Sequence, residues 1–364
     1  MCAASGCHPA VSRTLTSEQV GPSRKSQPLL THVLILIGSA ALIYFGSEWF
    51  VNAIEWLGSI LGVRAIAVGT VLAAIGTALP ETIVTLMAVI SGHTQEAANL
   101  GVGAALAGPL VLSTIAYGVV GLLMIRRFPR RHVIEVDRAP LLMDQRWFFG
   151  IALVSLVLGL VAFTGKSWLS LGFLGMYVIY VIRELRGEDD VEHAGDAEEL
   201  EALKLWRSPT PPASWAVVLQ TLGALVLVVG ASHEFVSELS WIAPAIGLPA
   251  AAVALVLAPI ATELPEIMNA VIWIRQGKNH LALANISGSM MVQATVPVAL
   301  GLIFTPWMFG RILLTAALCT LGAIAYQLFV IRGNRFTPRW LSSVTIFYGL
   351  FIVALFILVP AGIN

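Results

Sequence analysis

Charged side chains are scarce in this sequence, since Asp, Glu, Lys and Arg make up only 12% of its residues. In soluble domains roughly a quarter of the residues are charged. Hydrophobic residues account for 57% of the chain and the mean hydropathy is +0.85, so the composition predicts an integral membrane protein. The 21 basic and 21 acidic residues cancel, and this balance gives no indication of a nucleic-acid partner.

Cysteine is scarce as well. Cys2, Cys7 and Cys319 form no spacing typical of a disulfide framework or a zinc site. The N-terminal tail, residues 1–29, is mostly polar and rich in Ser, Pro and Thr. The apolar run that follows has the length of a full membrane span, longer than the apolar core of a cleavable signal peptide. We therefore expect a disordered tail that the mature protein retains.

Long apolar runs, by contrast, are abundant. A transmembrane helix needs about 20 mostly apolar residues, and ten segments meet this criterion. Their approximate limits are 30–57, 63–91, 97–125, 147–164, 167–183, 214–240, 249–275, 280–304, 308–331 and 338–360. The chain is thus predicted to be an all-α polytopic membrane protein. An acidic linker, residues 184–213, separates a first half of five spans (30–183) from a second half of five (214–364).

The basic residues indicate the orientation. Most of them follow the third, seventh and ninth spans: Arg126, Arg127, Arg130, Arg131, Arg138, Arg146, Arg275, Lys278, Arg332, Arg335 and Arg339. Basic loops remain on the cytoplasmic side of a membrane. We therefore expect the acidic linker in the cytoplasm, both termini outside, and a location in the plasma membrane, the inner membrane of a bacterial cell.

The two halves are related by an internal repeat at an offset of 185 residues. The segment Thr77-Ala78-Leu79-Pro80-Glu81 falls on Thr262-Glu263-Leu264-Pro265-Glu266. Five spans separate each element from its copy, and an odd number reverses the direction in which the copy crosses the membrane. Such inverted repeats are typical of secondary transporters, which bind the substrate near the midplane between the repeats.

Glu81 and Glu266 lie inside predicted spans. An ionised carboxylate there costs at least about 2.5–3.5 kcal/mol on insertion scales. A single glutamate could be protonated and hydrogen-bonded to a neighbouring helix. Two glutamates at equivalent positions of a repeat favour an ion-binding site instead.

Other oxygen-bearing side chains accompany the two glutamates. A threonine precedes each by four residues, Thr77 in the first half and Thr262 in the second, and Glu263 precedes the second glutamate by three, so they are expected on shared helix faces. Ser289 and Gln293 lie four residues apart in the following span. Oxygen ligands suit Ca2+ and Na+, and the lack of His and Cys here argues against zinc, copper or iron.

Pro80 and Pro265 directly precede the two glutamates. A proline inside a helix removes a backbone donor and clashes with the preceding turn. We therefore predict helix-breaking hinges that free backbone carbonyls for ion binding, although prolines also produce ordinary kinks in membrane helices.

The remaining polar groups are expected to be solvated. The run 188–201 is acidic but lacks the spacing of an EF-hand. The polar residues nearer the ends of the first and sixth spans are also expected to be solvated: Glu48, Asn52, Glu55, His233, Glu234 and Glu238.

These motifs resemble the Ca2+:cation antiporter superfamily, to which the sodium/calcium exchangers belong. The family pattern Gly-Thr-Ser-Leu-Pro-Glu is similar to Gly76-Thr77-Ala78-Leu79-Pro80-Glu81 and to Ala261-Thr262-Glu263-Leu264-Pro265-Glu266. A second family pattern resembles Ala284-Asn285-Ile286-Ser287-Gly288-Ser289-Met290. The resemblance implies ten spans in two inverted halves. It also implies that Glu81 and Glu266 bind the ion, with Thr77, Thr262 and Ser289 as hydroxyl or carbonyl contributors.

The sequence departs from that family at five positions of the expected site. Ala78 and Ala104 replace ligating serines, Glu263 replaces a third serine, and Gly108 and Gln293 replace an Asn or Asp. The lost hydroxyls belong to the family's Na+ sites, so the divalent site is better preserved than the sodium sites. Clustered carboxyl groups raise one another's affinity for protons, which makes H+ an alternative counter-ion.

The sequence thus predicts a secondary antiporter that exchanges Ca2+, or a related divalent cation, for Na+, with H+ as the alternative counter-ion. No cofactor and no partner beyond the transported cations and the lipid bilayer is expected, and a monomer is compatible with the sequence. An intramembrane enzyme is disfavoured because no metalloprotease, paired-aspartate or serine-hydrolase motif is present. A passive cation channel is the other alternative, and it differs from an exchanger in needing no ion on the opposite side.

Overall fold

The computed structural model describes residues 28–60, 73–90, 94–127, 134, 138–186, 201–206, 212–277, 279–333 and 336–359. Within these ranges the chain is helical and forms no strand. The α-helices are α1 (Leu29–Ile60), α2 (Ala73–Ile90), α3 (Gln95–Val111), α4 (Tyr117–Arg127), α5 (Arg138–Leu160), α6 (Ser170–Arg186), α7 (Ser214–Ala245), α8 (Ala250–Thr262), α9 (Leu264–Gln276), α10 (Asn279–Phe304), α11 (Arg311–Arg332), α12 (Pro338–Ser343) and α13 (Thr345–Leu358). The predicted disordered tail lies outside the described residues except for its last two.

Each of the ten predicted spans coincides with one or more of these helices. Seven helical stretches are long and apolar enough to cross a bilayer, and the bent pair of α8 and α9 makes an eighth. The described part of α2 and helix α6 are shorter. The all-helical class is confirmed, whereas the count of ten spans and their inverted arrangement stay predictions. The seven stretches are Leu29–Ile54, Gln95–Arg127, Arg138–Leu160, Ser214–Ala245, Ala282–Phe304, Arg311–Arg332 and Pro338–Leu358.

The start of the fourth span differs from the prediction. Arg138 and Arg146 were assigned to a basic loop, but α5 begins at Arg138 and contains both residues. A long basic side chain can extend from a helix end toward water or a polar neighbour. Arg138 does so by donating a hydrogen bond to the carbonyl of Gly333, with 3.2 Å between Nη1 and the oxygen.

Burial separates a central group of helices from a peripheral one. In α10, 83% of the apolar window is buried, compared with 17% in the stretch that contains α12 and α13. Helix α10 packs against α2 and α3, and α8 packs against the same two helices. Large apolar side chains remain exposed on the outer helices, including Leu30, Val226 and Phe356. A lipid-facing surface accounts for them, because lipid tails are as apolar as these side chains.

Small residues on α3 allow the central helices to approach closely. A Cβ atom at Gly103 would lie 3.0 Å from the Cβ of Ala254 and 3.1 Å from the carbonyl oxygen of Ala251, both on α8. A Cβ at Gly101 would overlap Val89 of α2. The run of small residues in α3 therefore serves helix packing, as is common in membranes.

Helices α1 and α7 pack along each other, and a buried contact between an imidazole and a carboxyl group joins one end of their contact. His32 Nδ1 lies 2.6 Å from Glu238 Oε2, and both side chains are 1% exposed. The imidazole also stacks on the indole of Trp241, with 3.4 Å between ring centroids. The expectation of a solvated Glu238 is therefore wrong, because His32 on α1 covers it.

The other end of the α1–α7 pair binds part of the acidic linker. Trp56 Nε1 donates to the carbonyl of Glu201 at 2.8 Å, and Leu205 N donates to Gln220 Oε1 at 2.7 Å. Leu203 is buried between the two helices, and Asn52 Oδ1 accepts a hydrogen bond from Gln220 Nε2 at 3.0 Å. Asn52 is thus buried rather than solvated, and residues 201–206 are docked on the helices.

Candidate cation-binding site

The site forms where two carboxyl groups, one from each half of the chain, meet in the central group of helices. Glu81 lies on α2 and is 1% exposed, whereas Glu263 lies between α8 and α9 and is fully buried. The two carboxyl groups are close enough to interact directly. A carboxylate can only accept hydrogen bonds, so a hydrogen bond between the two forms only when one of them carries a proton.

The position of Glu263 follows from the local sequence. Pro265 occupies the first turn of α9, where a proline is favoured because the N–H that it lacks has no partner within the helix. Helices α8 and α9 are bent by 47° relative to each other, and Glu263 has helical but distorted angles of φ −96° and ψ −8° at the junction. The glutamate therefore lies at a corner of the chain rather than on a straight helix face.

The structure differs from two expectations about the segments that contain the glutamates. Thr262 ends α8 and Glu266 belongs to the first turn of α9, so these residues do not share one continuous helix. The break predicted at Pro80 is absent, because α2 is helical on both sides of that proline. Of the two predicted hinges, only the one next to Pro265 coincides with a break.

Thr262 connects the two carboxyl groups. Its Oγ1 lies 2.9 Å from Glu81 Oε2 and 3.0 Å from Glu263 Oε1. A hydroxyl has one hydrogen, which it donates to one acceptor at a time. The threonine therefore orients both groups and holds α8 against α2.

Gln293 of α10 binds Glu263 from another side. Its Nε2 donates to both carboxyl oxygens, at 3.2 Å and 3.0 Å. Its Oε1 is buried and has no hydrogen-bond partner within the described ranges. The side chain thus presents one carbonyl oxygen that remains available to a cation.

Gly108 of α3 provides the space in which the Gln293 amide lies. A Cβ at this glycine would be 2.4 Å from Gln293 Oε1 and 3.0 Å from Glu263 Oε1. Any side chain at this position would displace the amide. An absent side chain in the first half therefore allows a residue of the second half to reach the site.

The site is negatively charged and receives no basic side chain in the described part of the protein. None of the described Lys, Arg or His residues forms an ion pair with Glu81 or Glu263. Two buried carboxyl groups without such a partner are stable only when a cation or a proton neutralises them. The described residues hold no group of three His, Cys, Asp or Glu side chains arranged for a metal ion.

The other predicted site residues have different outcomes. Glu266 and Ser289 are fully buried on α9 and α10, the two helices that follow Glu263 in the chain. Thr77 and Pro265 belong to described helices, but their side chains lie outside the described part of the chain.

A second buried polar group, centred on Asp144 of α5, was missed by the sequence analysis. Ser287 of α10 donates to Asp144 Oδ2 at 3.0 Å, and Arg183 of α6 lies 3.6 Å from Oδ1. Gln145 donates to the hydroxyl of Tyr117 at 2.7 Å. Asp144 precedes an apolar run by only a few residues, and a span start placed before it would have been the available signal.

Comparison with known proteins identifies the family and the fold of this chain. Residues 31–185 and 216–360 match the family model described as sodium/calcium exchanger protein. The inner membrane protein YrbG of Escherichia coli K12 is 26% identical over 283 residues, which cover 76% of this chain and 81% of that protein. The sodium/calcium exchanger MaX1 of Methanosarcina acetivorans is 24% identical over 359 residues, covering 90% and 99%.

A solved structure shares the fold. The crystal structure of the H+/Ca2+ exchanger CAX superimposes with a TM-score of 0.72 and 19% sequence identity, covering 91% of this chain and 82% of that one. At this identity the likeness establishes a common arrangement of helices and does not by itself identify the transported ions.

Proposed function

Because the chain belongs to the sodium/calcium exchanger family, we propose that it is a secondary antiporter that exchanges Ca2+, or a related divalent cation, for protons. The observation that carries this proposal is the buried contact between Glu81 of the first half and Glu263 of the second. A divalent cation neutralises two carboxylates, and its departure leaves a pair that takes up protons.

Ligand chemistry supports Ca2+ as the cargo. Glu81, Glu263 and Gln293 offer carboxylate and amide oxygens, with Thr262 as a hydroxyl neighbour. Glu266 and Ser289 are buried on the adjoining helices and complete the proposed ligand set. Ca2+ binds six to eight such oxygens in flexible geometry, whereas Mg2+ requires near-octahedral geometry and releases its waters slowly.

The counter-ion assignment rests on the contact between the carboxyl groups. When both are ionised they repel each other, and when they share a proton they can form a hydrogen bond. Loading Ca2+ therefore expels protons, and loading protons expels Ca2+. Exchange follows when the site is alternately open to the two sides, as in transporters built from inverted repeats.

Na+ is the second candidate counter-ion. It is favoured by the similarity to the sodium/calcium exchanger MaX1 along most of both chains. Against it, Ala78 and Glu263 stand where the related family has hydroxyl ligands for sodium.

We also propose that the chain lies in the plasma membrane with both termini outside. The docked residues 201–206 would then hold the acidic linker at the cytoplasmic ends of α1 and α7. Selective labelling of a single cysteine placed at Glu201 or at the exposed Ile246, which follows the opposite end of α7, from either side of sealed vesicles, tests this orientation.

Transport into liposomes tests the function. Purified protein is reconstituted, and uptake of radiolabelled Ca2+ is measured with an outward proton gradient, an outward Na+ gradient, or neither, while the membrane potential is clamped. We expect the proton gradient to accelerate Ca2+ uptake at least about tenfold over the condition without an ion gradient, and the Na+ gradient to have little effect.

The other outcomes identify the alternatives. Acceleration by Na+ alone would replace the proton assignment with the sodium one. Uptake that is equally fast without any ion on the opposite side would identify a passive channel. A competition series with Mg2+, Mn2+ and K+ against labelled Ca2+ defines the cargo.

A further inference from the structure

The contact between α1 and α7 contains two titratable side chains that the cation site does not use. His32 Nδ1 lies 2.6 Å from Glu238 Oε2, and each side chain is 1% exposed. The second ring nitrogen, Nε2, is buried and has no hydrogen-bond partner among the described residues. The imidazole therefore depends on Glu238 to offset the loss of the water around it.

The opposite end of the same two helices has an apolar contact at the equivalent positions. The repeat offset of 185 residues carries the first and last residues of α1 onto those of α7. It also carries His32 onto Val217, and Ala53 onto Glu238. Val217 and Ala53 are fully buried and share one apolar cluster with Leu203. Since this end packs without a polar pair, helix packing alone does not require the titratable pair at the other end.

The imidazole also contacts an aromatic ring. It stacks on the indole of Trp241, with 3.4 Å between ring centroids and 15° between the ring planes. A positive charge is attracted to the face of an indole, and it is attracted to the carboxylate of Glu238 as well. Burial opposes any charge on the ring. The strength of the contact between α1 and α7 therefore depends on whether His32 carries a proton.

The charge balance gives the direction of this dependence. With one proton the pair is neutral as a whole, because an imidazolium lies beside a carboxylate. Without the proton, Glu238 is a buried carboxylate whose partner is neutral, and a buried charge without a charged partner is strongly unfavourable. The contact is thus strongest with the proton bound and weakens as the pH rises through the range in which histidine loses its charge, about pH 5 to 8.

Few other titratable groups lie near this end of the helix pair in the described part of the chain. On α7, Glu234 is half-buried one turn before Glu238, and His233 is exposed. Helix α8 begins next to this end and has no titratable side chain. The other titratable residues of the packed elements lie farther along the chain from it: Tyr44, Glu48 and Glu55 on α1, Glu81 on α2, Glu266 and Arg275 on α9, and Glu201 and Lys204 of the linker.

We propose that His32 and Glu238 form a proton-binding site, separate from the cation site, which holds α1 against α7 at the end where α1 begins. The predicted orientation places this end at the outer face of the membrane. Leu239, next to Glu238, shares an apolar cluster with Val84 of α2, three residues after Glu81. A change at this contact therefore acts on the helix that carries Glu81, whichever counter-ion is exchanged.

The test compares two pairs of spin labels at equivalent positions of the repeat. Leu30 and Ala245 lie at the His32 end of the helix pair, Trp215 and Ile60 lie at the opposite end, and all four are exposed. The labels are attached to the full-length protein after its three native cysteines are replaced. Distances are measured in lipid bilayers by pulsed electron paramagnetic resonance at about pH 5.5 and pH 8.5. We expect the distance at the His32 end to lengthen and spread at the higher pH, and the other distance to stay unchanged.

Three variants identify the groups that bind the proton. His32→Gln keeps a hydrogen-bond donor but cannot become charged, so it should show the longer distance at both pH values. Glu238→Gln removes the carboxylate and should also abolish the response to pH. His233→Gln, which removes an exposed histidine of the same helix, should respond like the unmodified protein. The proposal is overturned if the unmodified protein shows no response, if both ends respond equally, or if His32→Gln or Glu238→Gln retains the response.

Transport measures the effect on the cation site. Ca2+ uptake into proteoliposomes is followed while the pH is changed on one side only. We expect the response of the uptake rate to pH on the His32 side to differ about fivefold between His32→Gln and the unmodified protein, and the response to pH on the other side to be the same. Equal responses on both sides would overturn the effect on α2. If the unmodified protein moves no divalent cation, the proposed function fails, and the spin-label distances still decide the proton site.

Discussion

The two copies of the Thr-x-Leu-Pro-Glu segment have different shapes in the two halves. In the first half, α2 continues through Pro80 from Ala73 to Ile90. In the second half, the chain bends by 47° between α8 and α9. Equal motifs therefore do not produce equal geometry, because a proline inside a helix is tolerated when the surrounding helices hold it in place, and only one copy of the motif lies at a helix start.

The two halves also differ in the residue that lies between the threonine and the leucine of the motif. Ala78 packs against Val292 of α10 in a small apolar cluster, whereas its repeat equivalent Glu263 is the centre of the hydrogen-bonded site. Gly108 has no side chain, and Gln293, its equivalent, lies against it. In the proposed site the second half supplies most of the ligands, and the first half supplies one carboxylate and the space.

Removing the first half's carboxylate gives the largest effect that this comparison predicts. Glu81→Gln keeps the size of the side chain but removes its charge, so Ca2+ loses one of the three carboxylates of the proposed ligand set. We expect Ca2+ uptake to fall at least about 100-fold, with unchanged expression and thermal unfolding. Glu48→Gln is the control, since Glu48 is exposed and bonded only to Tyr44 within α1. Full activity of Glu81→Gln would contradict the site assignment.

A substitution that makes the second half resemble the related family should change which ion gradient drives Ca2+ uptake. Glu263→Ser removes the carboxyl group that shares a proton with Glu81 and introduces a hydroxyl. Uptake driven by a proton gradient is expected to fall about tenfold and to lose its dependence on pH between pH 6 and 8, while a Na+ gradient gains an effect. Glu96→Ser, at an exposed position in the first turn of α3, should behave like the unmodified protein. An unchanged pH dependence would show that Glu263 takes no part in the coupling of Ca2+ transport to protons.

Filling the space at Gly108 should have the smallest of these effects. The added methyl group of Gly108→Ala meets the flexible end of Gln293, so the fold is kept while the amide leaves Glu263. We expect the KM for Ca2+ to rise about fivefold. Gly150→Ala on α5 is the control, because its Cβ would meet no atom within 4 Å.

A double variant separates displacement of the amide from other causes. If Gly108→Ala acts by displacing Gln293, it adds nothing to Gln293→Ala, and the two effects are not additive. Additive effects would show that the glycine matters for another reason, such as the approach of α3 to its neighbours.

Much of the fold was predictable from the sequence, because lipid requires long apolar helices and their signal is strong. Every predicted span contains a helix, but the break between the fourth and fifth spans lies at residues 161–165, so the fourth helix ends earlier than the predicted residue 164. The start of α5 was misplaced because Arg138 and Arg146 suggested a loop. Glu238 was misjudged because a sequence does not reveal that His32, 206 residues away, will cover it.

The sequence by itself determined the class of protein, the repeat, and the acidic residues on which any cation site must depend, because each of these is a local pattern or a comparison of the chain with itself. Only the tertiary structure decided which of those residues meet. It brought Glu263 next to Glu81, with Thr262 within hydrogen-bond distance of both, and it placed Gln293 in the space left by Gly108. The physical reason is that the direction of a side chain near a helix break depends on the bend, and the bend depends on helices that are distant in sequence.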